Sequence, residues 1–272
     1  MRIAKAGAVI AVLGLAACGT TTAAGPTSTA STTTTAGTPS APPRQSATMP
    51  SDDGLSPTNL ASELLGRLAA KGTFRVVSRT TTAAGDVAVV TADLRIAGDH
   101  AGLIATGGGR KVIKSDSAVY LKDAALTGDK ARPWSELAAG GQSSRSGRQL
   151  LRAAQVHALI GGAAHARTFQ RGDRITVNGV PAQEYVVDVD LPRAAAAGAM
   201  DGYLTTAATE SLPEALTLRI AVDARCLPLQ LRFTLDDRTT GRADVVATFS
   251  RFGQKLTITP PPARKIGTPA TT

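Results

Sequence analysis

Two stretches, 216-LTLRIAVD-223 and 229-LQLRFTL-235, settle the architecture. In each, apolar and polar residues alternate, the period of a strand with one face buried and the other wet. The link around Arg225-Cys226 turns the first into the second, giving an antiparallel hairpin. A further strand, Ala243 to Ser250, follows the turn at Thr240-Gly241, and a short one is expected over Lys255 to Thr259. Upstream, the same period marks Arg167 to Gln170, Arg174 to Asn178 and Val180 to Asp190.

The first half of the chain reads similarly. Strands are expected at Thr73 to Thr82, Val87 to Ala97, Ala101 to Thr106, Arg110 to Lys114 and Ala118 to Lys122. The turns between them carry Gly85, Gly98-Asp99, Gly107-Gly108-Gly109 and Asp116-Ser117, so the strands form a meander. Trp134, after Pro133, starts an irregular connection. Three helices supply cover. Ser56-Pro57 opens the first, with Ser as cap and Pro at the first helical position. Leu60, Leu64, Leu65 and Leu68 then share one face, and Gly72 ends the helix. The second is expected from Gly147 to Ile160, with His157 inside its apolar arc, and the third from Pro192 to Ser211. An alternating sheet must bury its apolar face, and these helices can cover it. The fold class is α+β, a curved antiparallel half-barrel wrapped around and closed by helices.

The amino terminus assigns a compartment. Arg2 and Lys5 precede an apolar run from Ala6 to Ala17. A dozen residues are too few to span a bilayer, which needs roughly 20, but they suit a secretory signal. Leu15-Ala16-Ala17-Cys18 resembles the lipobox of bacterial lipoproteins. The resemblance implies cleavage before Cys18 and a diacylglyceryl group on its sulfur, with two acyl chains giving a stable hold on the membrane. Residues 1–17 are thus expected to be a signal peptide. Residues 18–56, rich in Thr, Ser and Pro, are expected to be an anchor and a disordered linker with a reach of roughly 35 Å. Residues 57–262 are one domain, and 263–272 a flexible tail. The location expected is the extracytoplasmic face of the cell membrane.

Composition narrows the chemistry. The chain has 272 residues, a net charge of +9, two cysteines and 3 % aromatic residues. With Cys18 acylated, Cys226 has no partner for an internal disulfide. The basic residues are scattered and aromatics few, so nucleic acid is not an expected partner. No Ser-x-x-Lys, Gly-x-Ser-x-Gly or His-Glu-x-x-His occurs, and the histidines are His100, His157 and His165. No catalysis, metal or other cofactor is therefore expected. The 107-GGGRK-111 loop lacks Walker spacing and reads as a hairpin turn.

The run 249-FSRFGQKLTITPPPARKI-266 resembles the ending of LprG/LppX-type lipoproteins of actinobacteria: an aromatic-Ser-x-aromatic-Gly step, a last strand and a proline-rich exit. 222-VDARCLPLQLRF-233 and 117-SAVYLKD-123 are similar to theirs as well. The sequence departs at Arg251, where an acidic residue is usual, and at Cys226, where glycine is usual. The resemblance implies a LolA-like fold and an acylated lipid or glycolipid held in an apolar cavity for envelope transport. Leu60, Leu64, Leu68, Leu150 and Val156 are the candidates for the helix side of that cavity, and the same five suit ordinary core packing. The chain is expected to act as a monomer, tethered by lipid on Cys18. The alternative is a non-catalytic envelope sensor or accessory protein with a packed core and no lipid cargo.

Overall fold

A computed structural model describes residues 54–96, 101–115, 118–137, 145–200, 203, 213–237 and 241–268. They lie in one compact unit, within Ser46–Thr272. The signal, the lipobox with Cys18, the linker, His100, most of the third helical stretch, and the turns at Gly98-Asp99 and Asp116-Ser117 fall outside the described residues.

Eleven strands make one antiparallel sheet: β1 Thr73–Thr82, β2 Val87–Arg95, β3 Gly102–Gly107, β4 Arg110–Ser115, β5 Ala118–Lys122, β6 Trp134–Leu137, β7 Ala166–Val177, β8 Val180–Asp190, β9 Ala215–Val222, β10 Pro228–Asp237 and β11 Gly241–Ser250. Their spatial order is β6-β5-β4-β3-β2-β1-β11-β10-β9-β8-β7. Each strand therefore lies beside its sequence neighbour, except at the middle, where β1 meets β11 with Val76 opposite Phe249. The sheet is curved and does not close, as the half-barrel expectation required.

The alternation sorts the faces as expected. On β9, Leu216, Leu218 and Ile220 are buried while Thr217 and Arg219 are exposed; across the ladder, Leu231 of β10 faces Ile220 and Ala247 of β11. Phe74, Val76, Ala92, Leu94, Leu103, Ala105, Val112 and Leu121 continue the same inner face through the first half of the sheet.

The helices cover that face. α1, Leu60–Lys71, buries Leu60, Leu64 and Leu68 completely, at helical spacing on one stripe. Full burial is worth about 1.5–3 kcal/mol for each leucine. The first turn is tied by backbone, the Leu60 N–H donating to the Ser56 carbonyl at 2.9 Å, while the Ser56 hydroxyl pairs with Thr58 rather than capping an amide. Gly72, at φ 72°, ends the helix and returns its N–H to the Leu68 and Ala69 carbonyls. A short α2, Ala124–Thr127, follows β5.

Four expectations change in detail. The helix expected from Gly147 to Ile160 is two: α3, Arg145–Ala154, and α4, Ala158–Gly162. Val156 lies about half a turn from Ala154 on a continuous helix, so both can be buried only if the helix breaks between them. Tight turns at Gln155–His157 make that break. Of the third helix, α5 covers Leu191–Ala196, with the Asp190 side chain accepting the Arg193 N–H at 3.1 Å. Trp134 belongs to an edge strand, β6, too short to show a period. Lys255 to Thr259 is not a strand, because both edges of β11 are already taken by β1 and β10.

Candidate functional site

The inner layer brings together every residue that the sequence offered for a cavity wall. Leu60, Leu64, Leu68 and Val156 are fully buried and Leu150 nearly so, all within one apolar cluster with the inner face of the sheet. α3 lies across β1, β2, β3 and β4. Its stripe of Leu150 and Ala154 is buried, Leu151 adds to the packing, and Leu150 reaches Gly107 closely enough to crowd any larger residue there. α1, α4 and the 3-10 turn Ala163–His165 form a second cluster, which meets β8. A methyl at Gly161 would run into the Ala199 carbonyl oxygen, so glycine lets the two segments touch.

Polar groups interrupt this layer. Ser78 continues the inward series Phe74, Val76 on β1, and Ser135 lies opposite Leu121 on β6. Both hydroxyls are enclosed and find no hydrogen-bond partner among the described residues. The same is true of Nδ1 of His157, whose ring meets Phe74 edge-on at 5.5 Å between centroids. The His157 residue is half-buried, yet Nδ1 itself is closed off from solvent. Burial, with a smaller push from the Lys114 charge, lowers the His157 pKa to about 4, so the imidazole is neutral at pH 7. Burial also raises the phenol pKa of Tyr203, whose ring meets Phe233 edge-on. The sequence reading placed His157 inside an apolar arc correctly, but missed Ser78 and Ser135. Their signal was a serine at an apolar position of a period-2 run.

The outer face is polar and paired. Arg75 donates two N–H groups to Asp93 at 2.6 and 2.7 Å, which raises the arginine pKa further. Asp188 accepts from Thr217 and Thr168 at 2.6 and 2.7 Å, and these hydrogen bonds hold its carboxyl below the usual range. Asp190 is lowered by the Arg193 amide and by Arg167. A groove of about 570 Å³ opens on this face over β9, β10 and β11, and a smaller hollow of about 190 Å³ lies beside Arg75 and Arg251. Neither is lined by the five inner-layer candidates.

Among the described residues, no group of three His, Cys, Asp or Glu side chains is placed to hold a metal ion, and no helix is long and apolar enough to cross a membrane. Cys226 is half-buried in the β9–β10 turn at φ 57°, a left-handed position that favours glycine. Arg251 occupies another, at φ 55°.

The class defined by this geometry is an open antiparallel sheet with one apolar face under helices. No family model matches the sequence, and no curated protein does. Among solved structures, the chain is similar to LprF of Mycobacterium bovis, with 12 % identity over 75 % of this chain and 96 % of that one, at a TM-score of 0.46. It is similar to the Mycobacterium tuberculosis lipoprotein LppX, with 18 % identity over 75 % and 100 % of the two chains, at 0.43. A LolA superfamily protein of Nitrosomonas europaea is a further likeness, at 9 % identity over 71 % and 94 %, and a TM-score of 0.27. LppX and LolA are the names that the sequence resemblance already carried.

Proposed function

We propose that this chain is a lipid carrier of the bacterial envelope. It is tethered at the extracytoplasmic face by a diacylglyceryl group on Cys18 and takes an acylated lipid or glycolipid between the inner face of the sheet and the α3–α4 cover. The observation that carries the reading is the set of enclosed, unpartnered polar atoms in an otherwise apolar layer: the hydroxyls of Ser78 and Ser135 and Nδ1 of His157. Each such group costs about 1–3 kcal/mol, and folded proteins seldom keep three without a use. A ligand with a polar head and an apolar tail satisfies both parts of that surface.

The energies allow the cover to lift. α3 contributes Leu150, Leu151 and Ala154 to the layer, about 4–6 kcal/mol of burial. A chain of about 16 carbons forfeits on the order of 12 kcal/mol in water, at 0.8 per CH2. Exchanging the α3 contacts for an acyl chain is therefore downhill. Leu60, Leu64, Leu68, Leu150 and Val156 become the wall of the opened site.

Native mass spectrometry of the purified full chain, mixed with an envelope lipid extract and then stripped of free lipid, tests the reading. One non-covalent lipid per chain is expected, with its amount changed by Leu150→Ala. No bound mass from any lipid class, in a chain still folded by circular dichroism, overturns it. The second reading, a non-catalytic accessory protein with a solid core, draws on the complete burial of Leu60, Leu64, Leu68 and Val156, and that outcome would favour it. The tether is tested separately: a clickable palmitate should label the chain in cells and fail to label Cys18→Ser.

A further inference from the structure

The outer groove sits on the face turned away from the helices, and its charge is unevenly spread. Arg219 of β9 and Arg232 of β10 stand directly opposite each other in the ladder. Like charges in that position repel and weaken the sheet, so the pair needs compensation. One carboxylate supplies part of it, Glu184 of β8 accepting from Arg219 at 2.9 Å. Arg232 has no ion-pair partner among the described residues. Along the same row, beyond Val246 of β11, Arg79 of β1 adds a third cation.

The acidic side chains of the groove lie at its other end. Asp244 accepts from Thr234 at 2.6 Å and faces Arg242 at 3.7 Å, and Asp236 lies one row further on, opposite Arg242. Thr217 is likewise committed to Asp188. The result is a concavity with a cationic end and an exposed guanidinium free at its floor. A guanidinium offers a planar fork of N–H donors, which matches the oxygens of a phosphate group.

We propose that this groove is a phosphate-binding site, with Arg232 as its principal donor, Arg219 and Arg79 beside it, and a phosphate ester or free phosphate as ligand. The site is separate from the inner layer, and it stands whether or not that layer holds a lipid. A phosphate there would relieve the Arg219–Arg232 repulsion, so binding should also stabilise the sheet.

The experiment uses the full chain carrying Cys18→Ser, so that no acyl group contributes. One arm titrates inorganic phosphate and follows it by calorimetry and amide NMR. The other measures flotation with phosphatidylcholine vesicles, with and without phosphatidylglycerol. Arg232→Gln is compared with Lys265→Gln, an exposed lysine elsewhere that loses the same charge. The expected result is affinity weakened roughly tenfold or more by Arg232→Gln and unchanged by Lys265→Gln. If phosphate alone binds in this way, the ligand is soluble; if only the phosphatidylglycerol vesicles do, it is a lipid head group. No binding in either arm, or equal loss in both variants, overturns the site.

Discussion

His157 gives the sharpest test of the inner layer. In the folded chain its pKa is lowered to about 4, chiefly by burial, while in the unfolded chain it returns to the ordinary 6.5. Below pH 6.5 the unfolded state takes up a proton that the native state refuses, so stability falls as the pH falls. The decline continues until the native imidazole also protonates, near pH 4. Each pH unit in that window costs about 1.4 kcal/mol. From pH 7.5 to 5 the loss is therefore about 2 kcal/mol at most, and about 1–2 kcal/mol once the half-buried ring edge is discounted. Urea unfolding at a series of pH values measures it. The acidic limit should stay above pH 4.5, because the lowered Asp188 and Asp190 carboxyls add their own losses once the unfolded carboxyls protonate near 3.8. His157→Leu keeps the apolar contact with Phe74 and removes the proton, so its stability should be flat over the same range. Parallel curves for the two proteins, or an NMR titration placing the His157 pKa near 6.5, would refute the reasoning.

Three further substitutions probe the frame. Gly161→Ala should cost about 2–4 kcal/mol in chemical denaturation, since the added methyl meets the Ala199 carbonyl and the two packed segments must part. Asp223→Ala should cost about 2–3 kcal/mol by the same measurement: the buried carboxylate accepts the Arg225 and Leu227 N–H groups, both at 2.9 Å, and holds the β9–β10 turn. Cys226→Gly should instead raise the thermal midpoint, by the equivalent of about 1 kcal/mol, because glycine takes the left-handed backbone at φ 57° without strain.

The strands were legible because their physics is local. In 216-LTLRIAVD-223 each neighbour answers the pleat, and the observed strand Ala215–Val222 differs by one residue at each end. The first strand, Thr73–Thr82, matches in full, and Arg167 to Gln170 and Arg174 to Asn178 prove to be one strand, with an irregular register between Arg171 and Arg174. What was not legible depends on distant partners. The break after Ala154 exists because Val156 must reach a core built from other elements, which no local period encodes. β6 is four residues whose status comes from pairing with β5. The arginine pair was visible as the letters LR in both quoted strands, but only the register of β9 on β10 shows that they face each other. The five inner-layer leucines and valine were placed correctly in space; their part in holding a ligand rests on chemistry that a packed layer conceals.

The meeting of β1 and β11 has a kinetic consequence. Strands β1 to β6 can zip as successive hairpins soon after they are synthesised, and β7 to β11 can do the same as a second ribbon. The seam between the two ribbons joins residues about 170 positions apart, as Arg75 and Ser250 do, and loop-closure entropy makes such a contact slow to form. Until the last strand arrives, the first ribbon carries a naked edge along the whole of β1, open to pairing with any other extended chain. Losing the last strand would therefore leave two sticky half-sheets where there had been one protein.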